Sequence, residues 1–190
     1  MKRIGLLGEN ENDVRSIVAL MRKRFGDGFD YFSLLVDVNG DSIENTEYKN
    51  RFRREYEYQR DFEGGVDLVL FIRDLDDFET ANKKISKRKT WFRSWSKTIN
   101  QKGLLLLNIW ELEALIWADI EGYNKEYDTN IDPFLDPMQI KEPKEELKKH
   151  VKYSEGMSPT IFKDALRVSE VAQNCRYFRE FLNEFEKRIA

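Results

Sequence analysis

The chain has 190 residues, of which 41% are hydrophobic and 35% are charged, a composition typical of one globular domain with a highly charged surface. Its formal net charge is -3, from 32 basic and 35 acidic residues, so overall charge neither favours nor excludes a nucleic acid ligand. The single cysteine excludes an internal disulfide, and the single histidine excludes the usual zinc site of several Cys and His ligands. Any bound metal is therefore expected to be Mg²⁺, Mn²⁺ or Ca²⁺, held by oxygen ligands.

Strands and helices are predicted to alternate through most of the chain. We predict a strand at 4–7, a helix at 14–25, a strand within 29–38 that Asn39-Gly40 ends, and an exposed helix at 45–60. A strand at 66–72, a helix at 78–100, a strand at 104–107 and a helix at 110–119 follow. The third strand is apolar almost throughout, which is typical of a strand buried on both faces of a parallel sheet. The alternation predicts an α/β fold with helices on both faces of that sheet.

The rest of the chain is predicted to be mainly helical. A loop at 127–141 is followed by two or three helices, around 142–152, 158–167 and 170–188. We expect residues 1–126 to form the α/β domain and residues 127–190 to form a small C-terminal helical extension packed on it. His150 is interpreted as a cation at a helix C-terminus, and Cys175 as a core residue.

The sequence also bears on cellular location. No stretch approaches the ~20 apolar residues that a membrane span requires. The apolar run at the start of the chain is too short for a secretion signal. Together with the single cysteine, these features predict a cytoplasmic protein that makes no membrane contact.

Acidic residues follow three of the four predicted strands. In chain order they are Glu9, Glu11 and Asp13, then Asp74, Asp76 and Asp77, then Glu111 and Glu113. Ligands of open parallel sheets bind beyond the carboxyl ends of the strands, so these acids are candidates for one shared site. Carboxylates are the ligands that Mg²⁺ and Mn²⁺ prefer. The metal ligands predicted from this arrangement are Glu9, Asp74 and Asp76, with Glu113 near them as a further ligand or a second acid.

Each acidic group also has a simpler interpretation. Aspartates end strands because they favour turns, and the acids at 9–13 and 111–113 would stabilise helix N-termini. Against this, Asp74 and Asp76 are spaced so that an extended chain would point both to one side. Glu113 precedes an apolar stretch, where an unpaired carboxylate is costly to bury. The presence of acids after three different strands favours a metal site over these separate interpretations.

The order of these acids resembles the Toprim domain of topoisomerases, primases and nucleases of the overcoming-lysogenization-defect type. The residues that carry the resemblance are a glutamate with an acid four residues on, Glu9 and Asp13, and the later Asp74-Leu75-Asp76. Residues 111–119, together with 143–144, 153–154 and 175–178, resemble a Toprim-like bacterial family found beside ABC- or AAA-type ATPases in phage-defence systems such as PARIS. The resemblance spans roughly residues 4–189.

The resemblance implies a Toprim/Rossmann-like fold, an ATPase partner protein and metal-assisted phosphodiester chemistry. It implies that Glu9, Asp74 and Asp76 are catalytic residues, with Glu9 as a general acid/base or metal ligand and Asp74 and Asp76 as ligands of Mg²⁺. It also implies that Asp13 joins Glu113 among the metal ligands. Three features depart from the family pattern. Asn10 and Asp77 stand where the family usually has glycine, and the tryptophan expected soon after Glu113 is displaced to Trp117. These departures favour a degenerate site.

One segment is strongly basic for a chain of this net charge. Residues 83–97 contain seven basic residues and no acidic ones. We predict that this segment binds the phosphates of a nucleic acid. The predicted contacts are Lys83, Lys84, Lys87, Arg88, Lys89 and Arg93. Trp91 and Trp95 are four residues apart, which favours packing of both on the sheet over stacking on bases.

The leading functional hypothesis is a Mg²⁺-dependent nuclease that cleaves RNA or DNA as an effector of anti-phage defence, together with an ATPase partner. The alternative is a non-catalytic interaction or scaffold subunit with a degenerate acidic site, which Asn10 and Asp77 favour. A metal-dependent phosphatase or nucleotide hydrolase is a third hypothesis. It is disfavoured because a small substrate does not need a basic segment. A homodimer is left open.

Overall fold

A single parallel sheet organises the fold. The computed structural model describes residues 1–36 and 45–190, and in these ranges four strands pair in the order β2-β1-β3-β4. The strands are β1 (Lys2–Leu7), β2 (Phe29–Leu35), β3 (Leu68–Asp74) and β4 (Gly103–Asn108). Each neighbouring pair is parallel, which confirms the predicted α/β fold. The carboxyl ends of β1, β3 and β4 therefore meet at one edge of the sheet.

Helices cover both faces of this sheet. Those within the described ranges are α1 (Glu11–Phe25), α2 (Thr46–Phe62), α3 (Asn82–Ser96), α4 (Ala114–Ala118), α5 (Ile120–Tyr127), α6 (Pro143–His150), α7 (Ser158–Asp164), α8 (Val168–Asn174) and α9 (Arg176–Ile189). Short 3-10 turns at Lys97–Ile99, Pro137–Gln139 and Glu155–Met157 join some of them. None of the helices in these ranges is both long enough and apolar enough to cross a membrane.

The sheet separates two apolar layers. On one face, Ile4 and Leu70 belong to a core shared with α1 and the C-terminal helices. On the other face, Phe71 packs with Phe52 of α2 and Trp91 of α3, with ring centroids 5.5 and 5.7 Å apart. β3 is buried on both faces, as its apolar sequence predicts. The prediction that the two tryptophans of α3 pack on the sheet is confirmed as well, because both are buried.

The helix predicted at 45–60 is present as α2 and is mostly exposed, but two of its residues depart from this expectation. Phe52 and Tyr56 are fully buried against the sheet. They lie four residues apart, so they form one narrow apolar stripe on an otherwise charged helix. The predicted end of the second strand, at Asn39-Gly40, lies outside the described residues.

The helix predicted at 110–119 is also corrected, because α4 begins only at Ala114. Trp110 has a φ of +57°, a left-handed conformation that cannot continue a right-handed helix. Its amide donates to the Asp77 carbonyl at 3.0 Å, and its carbonyl accepts from the Asp76 amide at 2.9 Å. The loop before α4 is thus held to the loop after β3. The acids at 111–113 precede α4 rather than opening a longer helix.

The C-terminal helices complete the core of the α/β domain. α7 packs on α1, and α9 packs on β4. The helix predicted at 170–188 is divided into α8 and α9 at Cys175, which is fully buried as expected. The ring centroid of Phe185 in α9 lies 4.9 Å from that of Phe25 and 5.6 Å from that of Phe29. An aromatic cluster therefore ties the end of the chain to its first helix and second strand.

Replacing Phe185 with alanine tests whether the C-terminal helices share one cooperative fold with the sheet. Phe185 is fully buried, so the variant should lose about 3–5 kcal/mol of unfolding free energy, measured by urea denaturation. The matched control is Phe62→Ala, because Phe62 is 76% exposed and its loss should change stability by less than about 0.5 kcal/mol. Equal stability of the two variants would contradict a shared core.

Candidate acidic site at the sheet edge

Glu9 lies just beyond β1, beside the end of β3. Its Oε1 atom accepts a hydrogen bond from the Asp74 amide at 3.4 Å and forms an ion pair with Arg73 Nη1 at 2.7 Å. Arg73 is almost fully buried, so this ion pair is formed at the margin of the core. Burial raises the pKa of Glu9, and the charge of Arg73 partly offsets that rise. The predicted approach of Glu9 and Asp74 at one sheet edge is therefore present.

Asp74 is the last residue of β3 and faces Asn108, the last residue of β4, in the strand register. The amide nitrogen of Asn108 donates to Asp74 Oδ1 at 2.8 Å. Asn108 is fully buried, and its side-chain oxygen has no hydrogen-bond partner within the described ranges. Burial raises the pKa of Asp74 well above its usual value, and the nearby charges of Asp13 and Glu9 raise it further. A buried carboxylate and an unsatisfied amide oxygen thus lie side by side.

Asp13 joins the cluster from the first turn of α1. Its amide donates to Asn10 Oδ1 at 2.9 Å, and Asn10 Nδ2 donates back to Asp13 Oδ2 at 2.8 Å. Asn10 therefore caps the helix and holds the carboxylate in place. Burial, followed by the charge of Glu113, raises the pKa of Asp13 from 3.8 to about 7.

Glu113 enters from the loop before α4. It is 6% exposed, and Tyr153 donates its hydroxyl proton to Glu113 Oε1 at 2.7 Å. The Tyr153 hydroxyl also contacts Ser158 Oγ. Burial raises the pKa of Glu113, while the hydrogen bond from Tyr153 lowers it. The predicted cost of burying this carboxylate is therefore offset by a dedicated partner from the C-terminal part of the chain.

Asp76 is placed differently from Asp74. Its φ is +51°, so the chain is not extended at this residue and the argument that both carboxylates point to one side is wrong. The Asp76 carboxylate is exposed and lies 3.4 Å from Arg88 Nη2. Lys84 Nζ donates to the Asp76 carbonyl at 2.8 Å. The hydrogen bonds between this loop and Trp110 explain the turn, and sequence spacing carries no signal for them.

The basic segment forms most of α3, beside the acidic edge. Arg88 is 4% exposed, so its prediction as part of an open phosphate surface is corrected. Lys84 is half-buried against the loop that contains Asp76. The exposed cations of the segment are Lys83, Lys87, Lys89, Arg93 and Lys97. Four of the six predicted phosphate contacts, Lys83, Lys87, Lys89 and Arg93, are therefore exposed, and their contact with phosphates stays a prediction.

Two residues of the site, Arg73 and Asn108, were not singled out from the sequence, and the contact of Tyr153 with Glu113 was not predicted. Arg73 and Asn108 are polar residues at the ends of apolar strands, and that interruption is a signal that could have identified them. Tyr153 lies 40 residues from Glu113, and no local pattern connects them. Within residues 1–36 and 45–190, no group of three or more His, Cys, Asp or Glu side chains has the geometry to hold a metal ion.

Carboxylates from β1, β3, α1 and the loop before α4 thus approach one edge of a parallel α/β sheet. No family model matches the chain, and neither a curated protein nor a solved structure matches it. Fold and site therefore define an α/β protein with a partly buried acidic edge.

The raised pKa of Asp13 predicts an inverted pH dependence of stability. Unfolded Asp13 titrates near 3.8 and folded Asp13 near 7, so between these values the folded state binds more protons. Stability should therefore fall as the pH rises through this window, and the whole cost should be present above about pH 7. Asp13→Asn cannot ionise, so relative to wild type it should gain on the order of 2 kcal/mol between about pH 5 and about pH 8.

The measurement is urea denaturation in EDTA at both pH values. Glu11→Gln is the matched control, because Glu11 is an exposed acid in the same helical turn. It should keep the wild-type pH dependence. If Asp13→Asn and Glu11→Gln follow the same pH profile, Asp13 does not carry the proposed electrostatic cost.

Proposed function

We propose that the protein is a Mg²⁺- or Mn²⁺-dependent phosphodiester hydrolase of the Toprim type that acts on RNA or DNA. The observation that carries the proposal is the approach of Glu9, Asp13, Asp74 and Glu113 at the carboxyl edge of the sheet, with the pKa of each raised. Like charges placed together in a buried setting are costly and raise the pKa of carboxylates. Residues with strongly shifted pKa values are concentrated at functional sites. A divalent cation would remove much of this repulsion.

The donor set fits Mg²⁺ in chemistry. Mg²⁺ takes hard oxygen ligands, is commonly bound through one or two carboxylates, and completes its shell with water and substrate phosphates. A pair of carboxylates therefore suffices, although no group of three has metal-binding geometry among the described residues. Glu9 and Asp74 are the proposed ligands, with Asp13 and Glu113 beside them. When bound, the metal would stabilise charge on the phosphate and activate water.

The remaining residues of the site have supporting roles in this proposal. Asn108 holds Asp74 through its amide nitrogen, and Tyr153 holds Glu113. Asp76 adds negative charge near Glu9, but its carboxylate is directed to Arg88. The exposed lysines of α3 would hold substrate phosphates, since α3 is joined to the loop after β3 through Lys84.

The resemblance to the Toprim-like family supports a biological setting for this activity. Under that resemblance, the protein is a cytoplasmic effector of anti-phage defence that an ATPase partner restrains or releases. The acidic edge is compatible with restraint, because the ion pair between Arg73 and Glu9 engages a proposed ligand in this conformation.

A second candidate is a non-catalytic scaffold subunit. Two ion pairs favour it, Arg73 with Glu9 at 2.7 Å and Arg88 with Asp76 at 3.4 Å. In this alternative, protein cations replace the metal permanently and the acidic edge stabilises the fold or binds a partner. The two candidates differ in their response to divalent metal.

Thermal melting in MnCl₂ separates the two candidates. Metal at about 100-fold above its dissociation constant should stabilise the wild type by about 2.7 kcal/mol. Asp74→Asn should lose this response, since it removes a proposed ligand. Asp76→Asn should keep most of it, because the Asp76 carboxylate pairs with Arg88. Equal shifts for the wild type and Asp74→Asn would exclude Asp74 as a ligand, and no shift in the wild type would favour the scaffold.

A nuclease assay with the presumed ATPase partner and a phage trigger tests the activity itself. Glu9→Gln and Asp74→Asn should abolish cleavage, by at least about 100-fold, because charge stabilisation in the transition state is lost. Lys87→Glu/Lys89→Glu should weaken cleavage and its salt dependence without abolishing it. The control Lys125→Glu/Lys187→Glu reverses two exposed charges on α5 and α9 and should leave cleavage unchanged. Wild-type cleavage by Glu9→Gln at equal protein level would disprove a catalytic role of the acidic edge.

A further inference from the structure

A second feature of the fold suited to phosphate lies on the face of the sheet that α1 covers. α1, the edge strand β2 and α7 enclose an open cleft of about 770 Å³. Its lining includes four cations, Arg15, Arg22, Lys23 and Lys163, and one acid, Asp164. The cleft is therefore a concentrated positive region on a protein whose formal net charge is -3.

Three of the cations are available to a ligand. Arg15, Arg22 and Lys163 are exposed, and their side chains form no hydrogen bond or ion pair with other residues in the described ranges. Lys23 is different, because its Nζ atom donates to the Leu166 carbonyl at 2.6 Å. The available charges are thus divided between α1 and α7, on the two sides of the cleft.

Helix stability does not account for Arg15. Cations stabilise the C-terminal end of a helix, which explains Arg22 in the last turn of α1. Arg15 lies in the first half of the helix, where a cation gains nothing from the dipole. It also forms no ion pair with Glu11, one turn earlier, in the part of the chain that the structure describes. A cation kept there without a partner is better explained by a ligand.

Tyr31 provides an aromatic wall for the cleft. The Arg22 guanidinium lies 5.9 Å from the centroid of the Tyr31 ring. The Tyr31 hydroxyl is buried and has no hydrogen-bond partner among the described residues, although buried polar groups are usually paired. Arginine and tyrosine together are the side chains on which nucleic acid bases and phosphates are commonly held.

The cleft begins beside the acidic edge. Val14, which lines it, directly follows Asp13 in α1. Arg15 and Arg22 are seven residues apart on that helix, which corresponds to about 10.5 Å along its axis. The cations are therefore spread along a track that leads away from the acidic edge, instead of converging on one point as a single phosphate would require.

We propose that this cleft binds a single strand of nucleic acid, with Arg15, Arg22 and Lys163 on successive parts of its phosphate backbone and Tyr31 against a base. It deepens the proposed function by assigning the track along which a substrate strand leaves the acidic edge. The inference rests on the proposed function only for what happens to the strand at the acidic edge. Binding of the strand to the cleft needs neither metal nor cleavage.

The test is fluorescence anisotropy of a short labelled oligo(U) in EDTA, where no metal-dependent cleavage occurs. Arg15→Gln/Arg22→Gln should weaken binding by at least about tenfold, because two charge-assisted contacts are lost. The slope of log affinity against log salt should become less steep by about 1.4, because each phosphate contact on a single strand contributes about 0.7. The matched control is Arg51→Gln/Arg54→Gln, which removes the same charge from exposed positions on α2, across the sheet.

Equal affinities of the two double variants would overturn the proposal, provided that thermal melts show both to be folded. Displacement of the probe by AMP at equal phosphate concentration would also overturn it, since the cleft would then take a single nucleotide. Displacement by polyglutamate as effective as by unlabelled oligo(U) would assign the cleft to an acidic protein instead. If the wild type binds oligo(U) but is not stabilised by MnCl₂, the proposal for the cleft is supported and the proposal of a metal site is excluded.

Discussion

The burial of β3 on both faces is the constraint on which the rest of the structure depends. A strand with apolar side chains on both faces must lie inside the sheet, and here it pairs with β1 on one side and β4 on the other. Its polar residues are confined to its carboxyl end, where Arg73 and Asp74 meet Glu9 and Asn108. The charged groups are thus held at the boundary between core and solvent, where burial shifts their pKa values.

The acidic edge is tolerable to the fold because each carboxylate has a partner. Arg73 neutralises Glu9, Asn108 donates to Asp74, Asn10 donates to Asp13, and Tyr153 donates to Glu113. Three of these partners are neutral donors, so they do not offset the negative charge that these carboxylates carry when ionised. A scaffold would be stabilised more simply by apolar residues at the same positions. In the proposed function, a cation bound at this edge would offset the repulsion among these carboxylates.

The sequence predicted the parallel sheet and the meeting of Glu9 with Asp74, because strand alternation and the direction of parallel strands determine both. It did not predict the turn at Asp76 or the ion pair of Arg73. The turn at Asp76 depends on hydrogen bonds between loops that are distant along the chain. The ion pair of Arg73 depends on the side from which the Glu9 carboxylate approaches the sheet edge. The contact of Tyr153 with Glu113 arises from how the C-terminal helices pack. Local patterns report periodicity and capping, but not such long-range contacts.

The formal net charge, in the same way, does not predict how charge is distributed over the folded molecule, because it is a sum without positions. The exposed lysines of α3 lie on one face of the sheet, and the cations of the cleft beside α1 lie on the other. The acidic edge lies between them, and the formal net charge of -3, which sums 32 basic and 35 acidic residues over the whole chain, does not report this separation. A phosphate backbone would be attracted to both basic regions and would have to cross the acidic edge to contact both. Its passage there is favourable only if a cation compensates the carboxylates, which connects substrate binding to metal binding in the proposed function.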